Sequence, residues 1–153
     1  IDDIVDIYVY MEYIGSVEKI EVEMDGHKDL FEIVPDPNGN TKNDKFYVNG
    51  KEVTAVDELG NNLFREYYSQ LIGIQTKDVD LKTQPTGEPE ITFTYYLKIE
   101  PGVVKIEFIP RDEYYYYVRK NGKYSGVLVQ KKEFDKAGGV REVYRVLMAS
   151  LGK

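Results

Sequence analysis

A chain that carries one pattern twice is constrained more tightly than any composition could constrain it. Here Phe64-Arg-Glu-Tyr-Tyr-Ser-Gln-Leu71 is matched by Val140-Arg-Glu-Val-Tyr-Arg-Val-Leu147, with Arg65, Glu66, Tyr68 and Leu71 recurring as Arg141, Glu142, Tyr144 and Leu147. Phe31-Glu-Ile-Val-Pro35 is matched by Ile106-Glu-Phe-Ile-Pro110, and Asn49-Gly50-Lys51 by Asn121-Gly122-Lys123. The three matches keep their order at similar offsets, which implies two copies of a unit of roughly 75 residues.

Each unit reads as strands followed by one helix. Asp25-Gly26, Asn49-Gly50 and Asn121-Gly122 are dipeptides that tolerate positive φ in two-residue hairpins, and Pro101-Gly102 suits a type II turn. Closing the first hairpin at Asp25-Gly26 sets Glu23 opposite Lys28 and Lys19 opposite Glu32, with Ile20, Val22, Met24, Phe31 and Ile33 on the other face. Closing at Pro101-Gly102 pairs Leu97 with Ile106 and Tyr95 with Phe108. Leu59, Leu63, Phe64, Tyr67, Tyr68 and Leu71 keep helical spacing up to Gly73, and Val140, Val143, Tyr144, Leu147 and Leu151 do so up to Gly152. Ile4 to Ile14 reads as an extra leading strand with Ile7, Val9 and Met11 on one side.

The expected fold class is therefore α+β: two tandem repeats, each a mostly antiparallel sheet of about four strands with one C-terminal helix across one face. Residues 1–75 hold the leading strand and the first ββββα unit, 76–89 a linker with Pro85, Gly87 and Pro89, and 90–153 the second unit.

The stretch Asp112–Gly126 holds five of the chain's 14 tyrosines. A hairpin at Asn121-Gly122 pairs Val118 with Ser125, Tyr116 with Val127 and Tyr114 with Val129, which turns Tyr114 and Tyr116 to the core. Tyr115, Tyr117, Tyr124 and Leu128 then share the opposite face. Such a face can dock a partner, because tyrosine offers large amphipathic area at low entropic cost. It can also pack on the other unit, or reflect no more than the preference of tyrosine for strands.

Most chemistries find no residues here. Net charge is −7, and basic runs are confined to Arg119-Lys120 with Lys123 and to Lys131-Lys132, so no positive field for nucleic acid is expected. With no cysteine there is no disulfide, thiol nucleophile or zinc–thiolate site. The single histidine, His27, sits beside a turn, and a Ser-His-Asp triad would have to use it. Asp36 to Asp44 spaces oxygen ligands like a calcium loop, yet Thr41 stands where glycine belongs and Tyr47 where the bidentate glutamate belongs. Gly138-Gly139 before a helix could cradle an anion but reads better as a plain helix start. Asp2-Asp3 and Asp78/Asp80 read as solvated acidic surface. No metal or cofactor is expected.

The run Phe64 to Ile74, the run Tyr117-Val-Arg-Lys-Asn-Gly-Lys123 and the run Val17-Glu-Lys-Ile-Glu-Val-Glu-Met-Asp-Gly26 resemble the uncharacterised bacterial family called domain of unknown function 4340. The similarity runs from about Val17 to the end, through structural rather than catalytic motifs. It implies an N-terminal membrane helix followed by repeated α+β units outside the cell, some accompanying ABC-type transport systems. A start at Ile1 without Met fits a trimmed chain whose anchor lies upstream. The resulting expectation is a non-enzymatic interaction module on the extracellular face of the bacterial membrane, with a protein partner, no nucleic acid, and membrane attachment only through that anchor. The alternative is a small-ligand protein, for a glycan or peptide, with its site between the units near Tyr115, Tyr117 and Tyr124.

Overall fold

The computed structural model describes residues 8–152. Hairpin chemistry lays out its first strands. β1 (Val17–Met24) and β2 (His27–Val34) join at Asp25 and Gly26, whose φ values of 55° and 84° are both positive, as a type I′ turn requires. The register sets Glu23 against Lys28 and Lys19 against Glu32, as the sequence predicts. Asn49-Gly50 joins β3 (Lys45–Val48) to β4 (Lys51–Glu52) in the same manner. After α1 (Leu63–Ile72) come β5 (Asp78–Val79), β6 (Ile91–Leu97) and β7 (Val103–Pro110). Asn121-Gly122 then joins β8 (Tyr115–Lys120) to β9 (Lys123–Gln130), and α2 (Val140–Ser150) closes the described chain. Asn49 and Asn121 also fasten their turns to a neighbouring strand, accepting from the Leu30 amide at 2.9 Å and the Lys105 amide at 2.8 Å.

The expectation of two tandem repeats, each with its own sheet and helix, is overturned. The strands form one nine-stranded antiparallel sheet in the order β4-β3-β2-β1-β6-β7-β8-β9-β5. Its seam is the pairing of β1 with β6, from Met24 opposite Ile91 to Val17 opposite Leu97. The physical reason is backbone satisfaction. Two separate sheets would each leave a long edge of unpaired amides and carbonyls, and joining β1 to β6 removes both edges. The helices are not private to either half. Both lie on one face of this sheet and touch through Tyr67 and Tyr144, ring centroids 6.0 Å apart. The fold is mixed α/β and mostly sheet.

One apolar core lies between that face and the helices. Phe31 packs on Phe64 at 5.7 Å and Tyr67 at 4.9 Å, while Phe108 and Phe134 meet edge-on at 5.1 Å across the second half.

Local departures from expectation have local causes. Leu59 is not in α1: Gly60 takes a φ of 87°, the chain turns, and Asn62 caps the helix by accepting from the Phe64 amide at 2.8 Å. β6 and β7 are joined by residues 98–102, with the Leu97 amide bonded to the Gly102 carbonyl, so Tyr95 faces Val104 and Phe93 faces Ile106. The shift is even, and the inward face is unchanged. Tyr114 is exposed rather than core-facing, because the Asp112 carboxylate takes the Tyr114 and Tyr115 amides and holds 112–114 in a turn. Of the leading strand expected over 4–14, residues 4–7 with Ile7 lie outside the described residues. From Tyr8 the chain makes a single bridge to Gln75 and an amide bond from Val9 to Ile74, and Met11 is exposed. Asp2-Asp3 also lie outside the described residues.

Candidate functional site

Tyr115, Tyr117 and Tyr124 do share the outer face of the sheet, where they form a small cluster with Ile109 and Leu128. A bulge between Tyr117 and Arg119, with Gly126 at a φ of 88°, shifts the β8–β9 register without exchanging the faces. The chain covers this cluster itself. β5 adds to the sheet beside β9, and the segment from Asp80 to Thr83 folds over the rings. The Tyr117 hydroxyl shares a 2.7 Å hydrogen bond with Thr83, and the Tyr124 hydroxyl donates to the Asp80 carbonyl at 2.6 Å. Tyr117 is left 8% exposed, edge-on to Tyr124 at 5.3 Å. Burial, then the nearby Asp80 charge, pushes the Tyr124 phenol up to about 12. Asp80 knots the cover: its carboxylate accepts from the Thr83 hydroxyl, from the Lys82 and Thr83 amides, and from Arg111 Nε at 2.7 Å. These bonds, the Thr83 hydroxyl foremost, hold its pKa well below the usual carboxylate range. Asp78, expected as acidic surface, caps the neighbouring Val79 amide.

His27 opens β2 and belongs to a network that ties α2 to the sheet. The buried Asp29 carboxylate accepts from Asn49 Nδ2 at 2.8 Å and the Tyr144 hydroxyl at 2.9 Å, and bonds His27 Nδ1 at 2.8 Å. The His27 ring stacks on Tyr144 with 7° between planes. Arg141 grips both oxygens of Asp25 at 2.9 Å. That guanidinium holds the Asp25 carboxyl below its ordinary range. Asn49 Nδ2, the Tyr144 hydroxyl and the Arg141 guanidinium are each spent on a carboxylate within the fold, so the network staples α2 to the first hairpin. In the Asp36–Asp44 loop the carboxylates serve the loop's own amides, with Asp44 accepting from Asp36 and Asp36 from Asn40. At Gly138-Gly139, read from sequence as a plain helix start, the Glu142 carboxylate accepts the Gly138 amide.

The surface the sequence did not flag lies on the helical side. A groove of about 510 Å³ runs between α1, α2 and the loop before α1, lined by Asp57, Glu58, Leu59, Leu63, Glu66, Gly138, Glu142, Val143 and Val146. Leu63 and Val143 are buried and make its floor, while Leu59 is 87% exposed and Val146 half exposed at its sides. The signal was present but disguised. Leu59 fits the apolar stripe of α1 by spacing, and only the turn at Gly60 lifts it away from the core.

The chain matches no protein-family model, no curated protein and no solved structure. Among the described residues no helix is long and apolar enough to cross a membrane.

Proposed function

We propose that the chain is a non-enzymatic protein-interaction module that seats a partner segment in the groove between α1 and α2. The carrying observation is Leu59. A leucine held almost fully in water at the mouth of an apolar groove costs solvation that burial under a partner would recover, by about 2 kcal/mol for a complete side chain. The resemblance of its motifs supports placing the module at the cell surface, on a membrane-anchored protein that accompanies an ABC-type transporter.

A photo-crosslinking residue placed at position 59 in cells of the source organism should give a discrete protein adduct. The same residue at position 34, where Val34 is exposed on the outer face, should give none. Adduct at 59 should vanish when Val146→Asp is added. Equal labelling from 59 and 34, or labelling indifferent to Val146→Asp, would remove the groove as the docking site.

A further inference from the structure

We infer that the occupant of this groove is a cationic amphipathic helix of the partner protein, its apolar side chains at i, i+3/i+4 and i+7 entering the groove and its lysines or arginines meeting the rim. The inference rests on reading the groove as a docking site and adds the chemistry of what docks.

Three observations carry it. The first is charge. Of the nine lining residues, Asp57, Glu58, Glu66 and Glu142 are acidic and none is basic. Glu66 and Glu142 stand in the first turns of α1 and α2, where a helix dipole by itself favours an acid. Asp57 and Glu58 lie in the loop outside both helices, so the rim carries more negative charge than the helix ends call for. A partner whose own rim is positive would be steered in and held; one with an acidic rim would be repelled.

The second is rigidity. Asp57 is fixed by accepting the Leu59 and Asn61 amides, both at 2.9 Å, and Glu142 by accepting the Gly138 amide. The same amides, Asn61 first, hold the Asp57 carboxyl below its ordinary range and keep it charged. Carboxylates already held in place lose little freedom when a cation arrives.

The third is the backbone. The groove is walled by the sides of two helices and floored by Leu63 and Val143, which offer no strand edge to pair with. An occupant laid over that floor has to satisfy its own amides and carbonyls, and a helix does so internally. Helix-in-groove recognition places an apolar stripe in the cleft and polar flanks over its borders.

The test uses the whole chain and three designed leucine-rich peptides, followed by fluorescence anisotropy. One peptide is helical with all leucines on one face; one has the same leucines with glutamate for lysine; one is a scramble of the first. The cationic amphipathic peptide should bind, about tenfold more tightly than either control, and weaken as salt rises. Glu58→Lys with Glu66→Lys should weaken it about tenfold, and Leu59→Asp should abolish it, with circular dichroism confirming that each variant is folded. Equal binding of the acidic peptide would overturn the charge argument, and equal binding of the scramble would overturn the helical one. If no peptide binds while position 59 still cross-links a protein, the inference falls and the docking groove stands. If neither occurs, both fall.

Discussion

On the outer face of the sheet, Tyr117 and Leu128 lie beneath the segment from Asp80 to Thr83; on the helical side, Leu59 and Val146 flank a groove open to solvent. The two patches are alike in mixing apolar surface with nearby carboxylates. They differ in whether the described residues supply a cover. Tyrosine hydroxyls give the first patch polar handles by which a passing loop can be tied down, at Thr83 and at the Asp80 carbonyl. Leucine and valine give the second patch none. An aromatic-rich stretch in sequence is thus a poor guide to an open surface, because the same hydroxyls that suit a partner suit the chain's own backbone.

Substitutions that separate cover from groove put this contrast at risk. The largest effect is expected from Tyr117→Ala, which removes a ring packed on Tyr124 and the bond to Thr83. It should cost about 3 kcal/mol in chemical denaturation while leaving peptide binding at the groove unchanged. A loss below about 0.5 kcal/mol would mean that the cover contributes nothing and the outer patch is effectively free. Leu59→Asp is the converse. Stability should move by no more than about 0.5 kcal/mol, since the side chain is almost wholly in solvent, whereas groove occupancy should disappear. A large destabilisation would show that Leu59 supports the fold.

Acid should act on the cover first. Asp80 is held below its ordinary pKa by Thr83 and Arg111, so its contribution is complete above roughly pH 4 and is lost as pH falls through the depressed folded-state value. Hydrogen exchange at the Lys82 and Thr83 amides, corrected for intrinsic rates, should accelerate on acidification before the core amides of β1 and β6 do. Simultaneous loss would make the cover part of the global unfolding unit. The smallest effect belongs to Tyr67→Phe. The Tyr67 hydroxyl is buried among the described residues without a hydrogen-bond partner, so its removal should leave stability unchanged or raise it by up to about 1 kcal/mol, with both patches unaffected.

What the sequence made legible was whatever a turn could fix. Asp25-Gly26 and Asn121-Gly122 state their backbone conformation in two residues, and the strands on either side inherit their facing from it. The alternation that sends Tyr115, Tyr117 and Tyr124 outward survives the bulge at Gly126 for that reason. The seam between β1 and β6 has no turn to announce it, because long connecting segments lie between its strands. The matched segments suggested two independent sheets, and nothing in a local pattern says whether an edge strand is left free or meets another. The cover was hidden likewise. Asp80 reads as solvated acidic surface and Thr83 as plain linker, whereas the fold buries Asp80 and brings Tyr117 and Arg111 beneath the pair. The groove needed both helices to be placed, and Leu59 to be freed from the stripe it imitates.

The outermost strands of the sheet, β4 and β5, are two residues long apiece. A nine-stranded ladder would otherwise be a template for further chains to add to at either end. With so few free backbone positions there, neighbouring copies find almost nothing to zip onto, and fibre growth by strand addition is starved at its first step. A segment seated in the proposed groove would accordingly be selected by side chains rather than by the backbone, which is the same in every protein.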